Sequence, residues 1–235
     1  MCGIIALLQL SNDNNIINIL LDGLKQLQNR GYDSAGICTM NDNFSILKYA
    51  SINDINSIKK LENEKNNISN SHVGIAHTRW ATHGAKTESN AHPHLSENNK
   101  FCLVHNGIIE NYASLKTVLQ QRGYVFHSDT DTEVLVNLIE EVKKTNKVKL
   151  GKAVQLALKE VEGAYAIAVF DQTKPNEIVV AKLGSPLAIG VGENEFFIAS
   201  DATPFIEFTN QAIYLEDHEM AVLRLGRDVR VRDLM

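Results

Sequence analysis

The chain has 235 residues, of which 44% are hydrophobic and 22% charged, a composition typical of a globular protein long enough to bury a sizeable core. Its formal net charge of −5 argues against a broad basic surface, so neither nucleic acid nor a membrane is expected as a partner. The three cysteines are odd in number and widely spaced, which excludes a disulfide framework. No signal peptide and no stretch of membrane-spanning length is present, and we expect a cytoplasmic location.

The predicted elements begin with a buried strand, because residues 2–10 form a nearly continuous apolar run. Apolar residues then recur at helical spacing from Ile16 to Gln28. Two short apolar segments, 35–40 and 44–50, predict a hairpin. The polar, charged stretch 53–70 after it predicts a surface helix.

Two further strands are predicted at 73–79 and 101–106, and both end in clusters of His, Arg and Asn. The polar stretch 80–100 between them is long for a structureless loop in a compact domain. It is therefore a candidate binding loop.

The second half of the chain begins with helices and ends in strands. Helices are predicted at 112–122, from Val134 onward and at 150–161, with Thr130 and Glu133 at capping-box spacing ahead of the second. The segments with strand character are 164–171, 178–183, 186–191, 196–200, 212–216, 219–225 and 228–232. Strands joined by hairpin-length connections, with the helices in two groups, predict an α+β class with antiparallel sheets in a single domain.

Cys2 follows Met1 directly in the string MCGI, and it is the first candidate for chemistry. Removal of Met1 would leave one residue with both a thiol and a free α-amine. The thiolate is the nucleophile, and an α-amine with a pKa near 7.7–8.0 can accept its proton. That combination is the N-terminal form of nucleophilic catalysis. The alternative is a buried cysteine at the start of a strand. Cys38 and Cys102 lie in apolar runs, and we expect them to be inert core thiols.

Three polar strings could complete such a site. In HTRWATHG, Arg79 ends a buried strand and suits a carboxylate, although a surface salt bridge is the alternative. In HNG, the Asn106 amide and the Gly107 N–H could hold an oxyanion, or the pair could form a tight turn. In SDTDTE, Asp129 and Asp131 could bind an ammonium group or a metal, or Asp129 to Thr132 could cap the helix.

Six histidines between His72 and His105 raise the question of a zinc site. Their spacing matches neither HExxH nor a CxxC pair, so no metal is expected. No Walker-type phosphate loop is present either, and no cofactor is expected.

Taken together, these strings resemble the class II glutaminase domain of the glutamine–fructose-6-phosphate amidotransferase (glucosamine-6-phosphate synthase) family. The motifs that carry the resemblance, in chain order, are MCGI, NRGYDSAG, GIAHTRWATHG, NAHPH, VHNGIIENY and SDTDTEV. GAYAIAV and FFIASD extend it over essentially the whole chain. The resemblance implies an N-terminal-nucleophile (Ntn) hydrolase fold, with two stacked antiparallel sheets between helical layers (αββα).

The resemblance also implies a role for each matching residue, with L-glutamine as substrate. Cys2 would attack the side-chain amide, and Asn106 and Gly107 would hold the oxyanion. Arg79 would bind the α-carboxylate and Asp131 the α-ammonium group. The remaining implied residues are Thr82 and His83 in a loop that orders over glutamine, Trp80 as a seal that gates ammonia, and Arg30 as a brace for the loop around Cys2. A γ-glutamyl thioester would form, release ammonia and be hydrolysed.

The family's full enzyme continues into sugar-phosphate isomerase domains, and this sequence contains no candidate sugar-phosphate site. We therefore expect residues 2–235 to form a single glutaminase domain, whose partner is an isomerase domain in the same or a separate chain. Two alternatives stay open. The first is the glutaminase domain of a phosphoribosyl-diphosphate or asparagine-forming amidotransferase, and the second is a non-catalytic glutamine-sensing domain.

Overall fold

The computed structural model describes residues 2–10, 15–81 and 84–235, and within them the chain alternates strands with short groups of helices. The helices are α1 (Ile16–Leu27), α2 (Ser57–Glu64), α3 (Tyr112–Gln121), α4 (Asp131–Asn146) and α5 (Leu150–Lys159). The strands of the first half are β1 (Gly3–Gln9), β2 (Ser34–Met40), β3 (Phe44–Ala50), β4 (Val73–Arg79), β5 (His94–Leu95) and β6 (Phe101–Ile109). Those of the second half are β7 (Gly163–Asp171), β8 (Glu177–Leu183), β9 (Ala188–Gly192), β10 (Glu195–Ala199), β11 (Ala212–Tyr214), β12 (Glu219–Arg224) and β13 (Val231–Asp233).

The described strands form two antiparallel sheets. The first sheet has the order β11-β9-β10-β1-β4-β2-β3, and the second has the order β13-β12-β8-β7-β6-β5. The central strand β1 pairs with β10 on one side and β4 on the other. In the second sheet, β6 pairs with β7 over its whole length.

Three apolar clusters show how the layers stack. One lies between the two sheets and includes Ile4, Val104 and Phe170. A second packs α1 and α2 against the first sheet, and a third packs the helices α3–α5 against the second sheet. The chain therefore has the αββα layering that the family resemblance implies. None of the described helices combines the length and apolar character needed to cross a membrane.

Side chains alternate between the two faces of each strand, which fixes what points between the sheets. In β1, Ile4, Ala6 and Leu8 face the second sheet, whereas Ile5 and Leu7 face the helices. The same alternation places the even-numbered residues of β6 and the odd-numbered residues of β4 between the sheets.

Most predicted elements are confirmed within a few residues, and three predictions are wrong. The helix predicted from Val134 begins at Asp131, because the side chain of Thr130 caps it by accepting from the backbone N–H of Glu133 at 3.2 Å. The strand predicted at 101–106 runs on to Ile109, so Asn106 and Gly107 lie in a paired strand and not in a tight turn. The strand predicted at 228–232 is confined to Val231–Asp233.

Candidate active site

Four polar residues predicted from the sequence meet at one end of the space between the sheets. Three of them are placed there by the alternation of side chains along the strands, and the fourth comes from a helix. Cys2 immediately precedes β1 and has the same parity as Ile4. Arg79 ends the neighbouring strand β4, on the same face as Ile75. Asn106 projects from β6 in the facing sheet, on the same face as Val104. Asp131, the first residue of α4, meets them from the helical layer of the second sheet.

A small cavity lies where these elements meet. Its lining includes five of the residues predicted from the sequence, namely Cys2, Arg79, Trp80, Gly107 and Asp131. The cavity is also lined by His92, His105, Thr130 and Thr132.

The Cys2 thiol contacts the backbone at the end of β4. The Trp80 N–H donates to the Cys2 sulfur at 3.3 Å, and the sulfur lies 3.5 Å from the Trp80 carbonyl oxygen. Burial raises the pKa of the Cys2 thiol, whereas the Trp80 N–H and the positive charge of Arg79 act to lower it. Because burial prevails, the thiol is mainly protonated at neutral pH and needs a base to become a nucleophile.

Asn106 is held directly beside Cys2. Its Nδ2 donates to the Cys2 carbonyl oxygen at 3.0 Å, and its Oδ1 lies 3.0 Å from the Nε2 of His77. An amide nitrogen carries two hydrogens, so one remains to donate to a bound group.

Gly107 follows Asn106 and lies against β7. Its φ of +122° favours glycine, and a Cβ atom there would lie 2.3 Å from the Ala164 carbonyl oxygen. The glycine therefore lets β6 approach β7 closely where β6 borders the cavity.

Arg79 and Asp131 supply opposite charges to the cavity wall. Both are almost fully buried. The Arg79 Nη1 donates to the Ala85 carbonyl oxygen at 3.0 Å, and the Asp131 Oδ2 accepts from the Ile109 N–H at 2.8 Å. A cation and an anion fixed by backbone groups in this way can bind the carboxylate and the ammonium group of one amino acid.

The loop after β4 is anchored by Asp33, a residue that the sequence analysis did not single out. Its Oδ2 accepts from the Ala81 N–H at 2.9 Å, and its Oδ1 lies 3.3 Å from the Lys86 Nζ. The Lys86 Nζ also lies 5.9 Å from the centre of the Trp80 ring, whose side chain is half exposed.

The other predicted residues lie apart from the cavity or outside the description. The Arg30 Nη2 lies 3.3 Å from the Asp201 Oδ2, and Arg30 is not among the residues that line the cavity. Thr82, His83 and Met1 lie outside the described residues.

Four cavity-lining residues were missed by the sequence analysis, namely His92, His105, Thr130 and Thr132. The two threonines flank Asp131, and His105 precedes Asn106, so each lies next to a residue that was singled out. The His105 Nδ1 lies 2.9 Å from the Thr132 hydroxyl, and its Nε2 lies 3.3 Å from the Ala164 carbonyl oxygen. Proximity to a predicted residue was the signal for these three, whereas His92 lies in NAHPH, one of the strings that carry the family resemblance.

Three of the described histidines pack their rings against one another. The rings of His77 and His92 are parallel with centroids 4.1 Å apart, and His94 lies edge-on to His92 at 4.9 Å. Among residues 2–10, 15–81 and 84–235, no group of three His, Cys, Asp or Glu side chains is arranged to hold a metal ion. Burial holds the pKa values of all three stacked histidines well below the ordinary range, so their rings are neutral at neutral pH.

Comparison with known proteins identifies chains of similar sequence and fold. The chain is 53% identical over 234 residues to a glutamine–fructose-6-phosphate aminotransferase (isomerizing) of Bacteroides thetaiotaomicron, covering 100% of this chain and 37% of that protein. It is 49% identical over 225 residues to the protein of the same name from Chlorobaculum tepidum, covering 95% of this chain and 36% of that protein. The chain thus spans little more than a third of the length of these relatives.

Among solved structures, a glutamine phosphoribosylpyrophosphate amidotransferase from B. subtilis matches with a TM-score of 0.78 and 26% identity, covering 100% of this chain and 49% of that chain. A structure described as the allosteric regulatory enzyme of purine biosynthesis matches with a TM-score of 0.81 at the same identity and coverage. These neighbours confirm the Ntn hydrolase fold expected from the sequence. The glutamine amidotransferase domain family matches residues 62–225, well over half of the chain. The chain therefore belongs to the glutamine amidotransferase domain family.

Proposed function

We propose that residues 2–235 form one glutaminase domain, which hydrolyses L-glutamine to L-glutamate and ammonia through a thioester on Cys2. The observation that carries this proposal is the shared cavity. A thiol, a buried guanidinium group and a buried carboxylate line it together, from Cys2, Arg79 and Asp131. These are the groups needed to fix both ends of an amino acid and attack its side chain.

In the proposed reaction, removal of Met1 frees the α-amine of Cys2, which accepts the thiol proton. The thiolate adds to the amide carbon of glutamine and forms a C–S bond. The Asn106 Nδ2 and the Gly107 N–H donate to the resulting oxyanion. The amide nitrogen leaves as ammonia after it takes up the proton held by the α-amine. Water then attacks the thioester, which releases glutamate and restores the thiol.

Substrate orientation in this scheme rests on charge. Arg79 binds the α-carboxylate with its planar fork, and Asp131 binds the α-ammonium group. Holding both groups delivers the side-chain amide to the sulfur, and such orientation can lower a barrier by several kcal/mol. Trp80, Thr82 and His83 close over the bound amino acid, and Trp80 also gates ammonia. Arg30 braces the loop around Cys2.

The ammonia is proposed to serve the synthesis of glucosamine 6-phosphate, a precursor of UDP-N-acetylglucosamine, from fructose 6-phosphate. The relatives with up to 53% identity carry the name of that aminotransferase, and the chain corresponds to only 37% of the most similar one reported above. The partner is accordingly a sugar-phosphate isomerase domain, on the same or a separate polypeptide. The proposed compartment is the cytoplasm, because the cysteines are free thiols and suit a reducing environment.

The test is glutamate release by the purified chain, compared with Cys2→Ala. We expect steady release by the wild type and none by the variant. Intact mass, measured before and after exposure to an electrophilic glutamine analogue, should show loss of Met1 and then one adduct that Cys2→Ala does not form. A chain that has lost Met1 but releases no glutamate and takes no adduct would contradict the proposal.

A matched pair of variants tests the substrate contacts. Arg79→Lys keeps the charge but loses the fork, and Arg79→Gln loses both, so KM for glutamine should rise in that order. If both variants kept the wild-type KM, Arg79 would not bind the substrate carboxylate.

A further inference from the structure

His77 has no role in the proposed reaction, yet it contacts the group that would hold the oxyanion. It lies on β4 with its side chain fully buried between the sheets. Its Nε2 is 3.0 Å from the Asn106 Oδ1 and 3.2 Å from the His105 carbonyl oxygen.

These distances define the tautomer of His77. A carbonyl oxygen only accepts hydrogen bonds, so the contact with His105 requires a proton on Nε2. The same proton faces the Asn106 Oδ1, which orients the amide with its Nδ2 toward Cys2. Nδ1 then carries no hydrogen, in agreement with the absence of a partner for it among the described residues. Burial lowers the pKa of His77 to about 3, so this neutral form persists at neutral pH.

The ring of His77 is held in place by its neighbours. His92 stacks on it with 13° between the ring planes. The backbone of His92 approaches β2 at Gly36, which pairs with His77, and a Cβ at Gly36 would lie 2.0 Å from the His92 carbonyl oxygen. The stack therefore fixes the plane of the imidazole and the direction of its Nε2–H.

We propose that His77 is a positioning residue that orients the Asn106 side-chain amide toward the developing oxyanion. The inference rests on the proposed glutaminase function. Without the Nε2–H, the amide could rotate and present its oxygen to the reacting carbonyl, which would repel the oxyanion. His77 itself touches no substrate atom in this scheme.

The test compares two substitutions in two backgrounds. His77→Gln can place its amide N–H near the position of Nε2, whereas His77→Phe keeps the aromatic stack on His92 but has no donor. We expect His77→Gln to retain kcat within a few-fold. We expect His77→Phe to lower kcat by about 10- to 100-fold with little change in KM, since loss of one oxyanion donor costs about 10²–10³ in kcat.

The double variant His77→Phe/Asn106→Ala separates positioning from general damage. If His77 acts through Asn106, adding His77→Phe to Asn106→Ala should change kcat by no more than about three-fold. Equal losses in the two backgrounds, or a rise in KM alone, would overturn the proposal. Urea unfolding of each variant checks that the fold is kept, and should His77→Phe fail to fold, His77→Asn replaces it because its shorter amide does not reach the Nε2 position.

A second measurement does not depend on turnover. The ¹⁵N spectrum of labelled His77, assigned with His77→Gln, should show a protonated Nε2 and a bare Nδ1. A protonated Nδ1 would overturn the inference. If the wild type neither turns over glutamine nor takes the analogue, the proposed function fails, whereas an active wild type with a fully active His77→Phe contradicts the inference alone.

Discussion

Replacement of Asp33 should loosen the loop that borders the cavity. Its carboxylate accepts from the Ala81 N–H at 2.9 Å and lies 3.3 Å from the Lys86 Nζ, so one side chain anchors both ends of the segment that carries Thr82 and His83. The loss of a hydrogen bond to a charged group costs about 1.5–3 kcal/mol. The Lys86 side chain is 63% exposed, and an ion pair with so exposed a partner contributes about 0.2–1 kcal/mol.

Asp33→Ala is therefore expected to lower the free energy of unfolding by about 2–3 kcal/mol, whereas Lys86→Ala should lower it by under about 1 kcal/mol. Asp33→Asn retains an acceptor for Ala81 and should fall between them. Urea unfolding measures all three. Because the anchored segment begins at Trp80, which lines the cavity, Asp33→Ala should also raise KM for glutamine.

The matched Lys86→Ala variant decides the interpretation. If Asp33→Ala and Lys86→Ala unfold at the same urea concentration and have the same KM, the bond to Ala81 does not hold the loop. A lower kcat with an unchanged KM in Asp33→Ala would also refute the reasoning, because it would place the effect on the chemical step.

Three further predictions follow from the site and its surroundings. Gly107→Ala should lower the free energy of unfolding in urea by more than about 2 kcal/mol, since its Cβ would lie 2.3 Å from a backbone oxygen. The control is Gly123→Ala, where φ is +94° and nothing lies within 4 Å of the added Cβ. It should cost only about 1 kcal/mol of backbone strain. The free energy of unfolding should fall as the pH is lowered from 6.5 toward 3, because His77 takes up a proton below pH 6.5 in the unfolded chain but only near a pKa of 3 in the folded one. The expected slope is up to about 1.4 kcal/mol per pH unit. An unfolding midpoint that does not change with pH would contradict burial of the neutral histidine. Arg79→Gln removes a positive charge that lowers the pKa of the Cys2 thiol, so the pH profile of alkylation by a small reagent should shift to higher pH. A shift to lower pH would contradict the placement of the Arg79 charge beside the thiol.

The order and type of the elements were readable from the sequence because each rests on local periodicity. The buried run of β1 and the hairpin of β2 and β3 were predicted within one or two residues, since apolar patterning and turn residues act over short distances. The Asn106-Gly107 pair misled local reasoning. Its dipeptide favours a turn, and only pairing with β7, over 50 residues away in the chain, holds it in a strand.

The chemical site was partly readable for a different reason. Cys2, Arg79 and Asp131 were named because their residue types suit glutamine chemistry and their strings resemble a known family. Asp33 and His77 were missed, because each acts on a partner distant in sequence. Asp33 bonds to Ala81 and Lys86, and His77 bonds to Asn106 across the two sheets. Such contacts depend on strand order, which periodicity does not reveal.

The alternation of side chains along each strand explains why the polar residues of the site meet, which the motifs alone do not. Cys2 shares the face of Ile4, Arg79 that of Ile75, and Asn106 that of Val104, and all three faces belong to the cluster between the sheets. A single-residue shift in the register of β4 or β6 would move its polar residue to the opposite face. The apolar residues of this cluster therefore hold the polar groups in a common space. Arg79 lies four residues after Ile75, and Asn106 lies two residues after Val104. A substitution that disturbs packing at either apolar position should therefore displace the polar group on the same strand face.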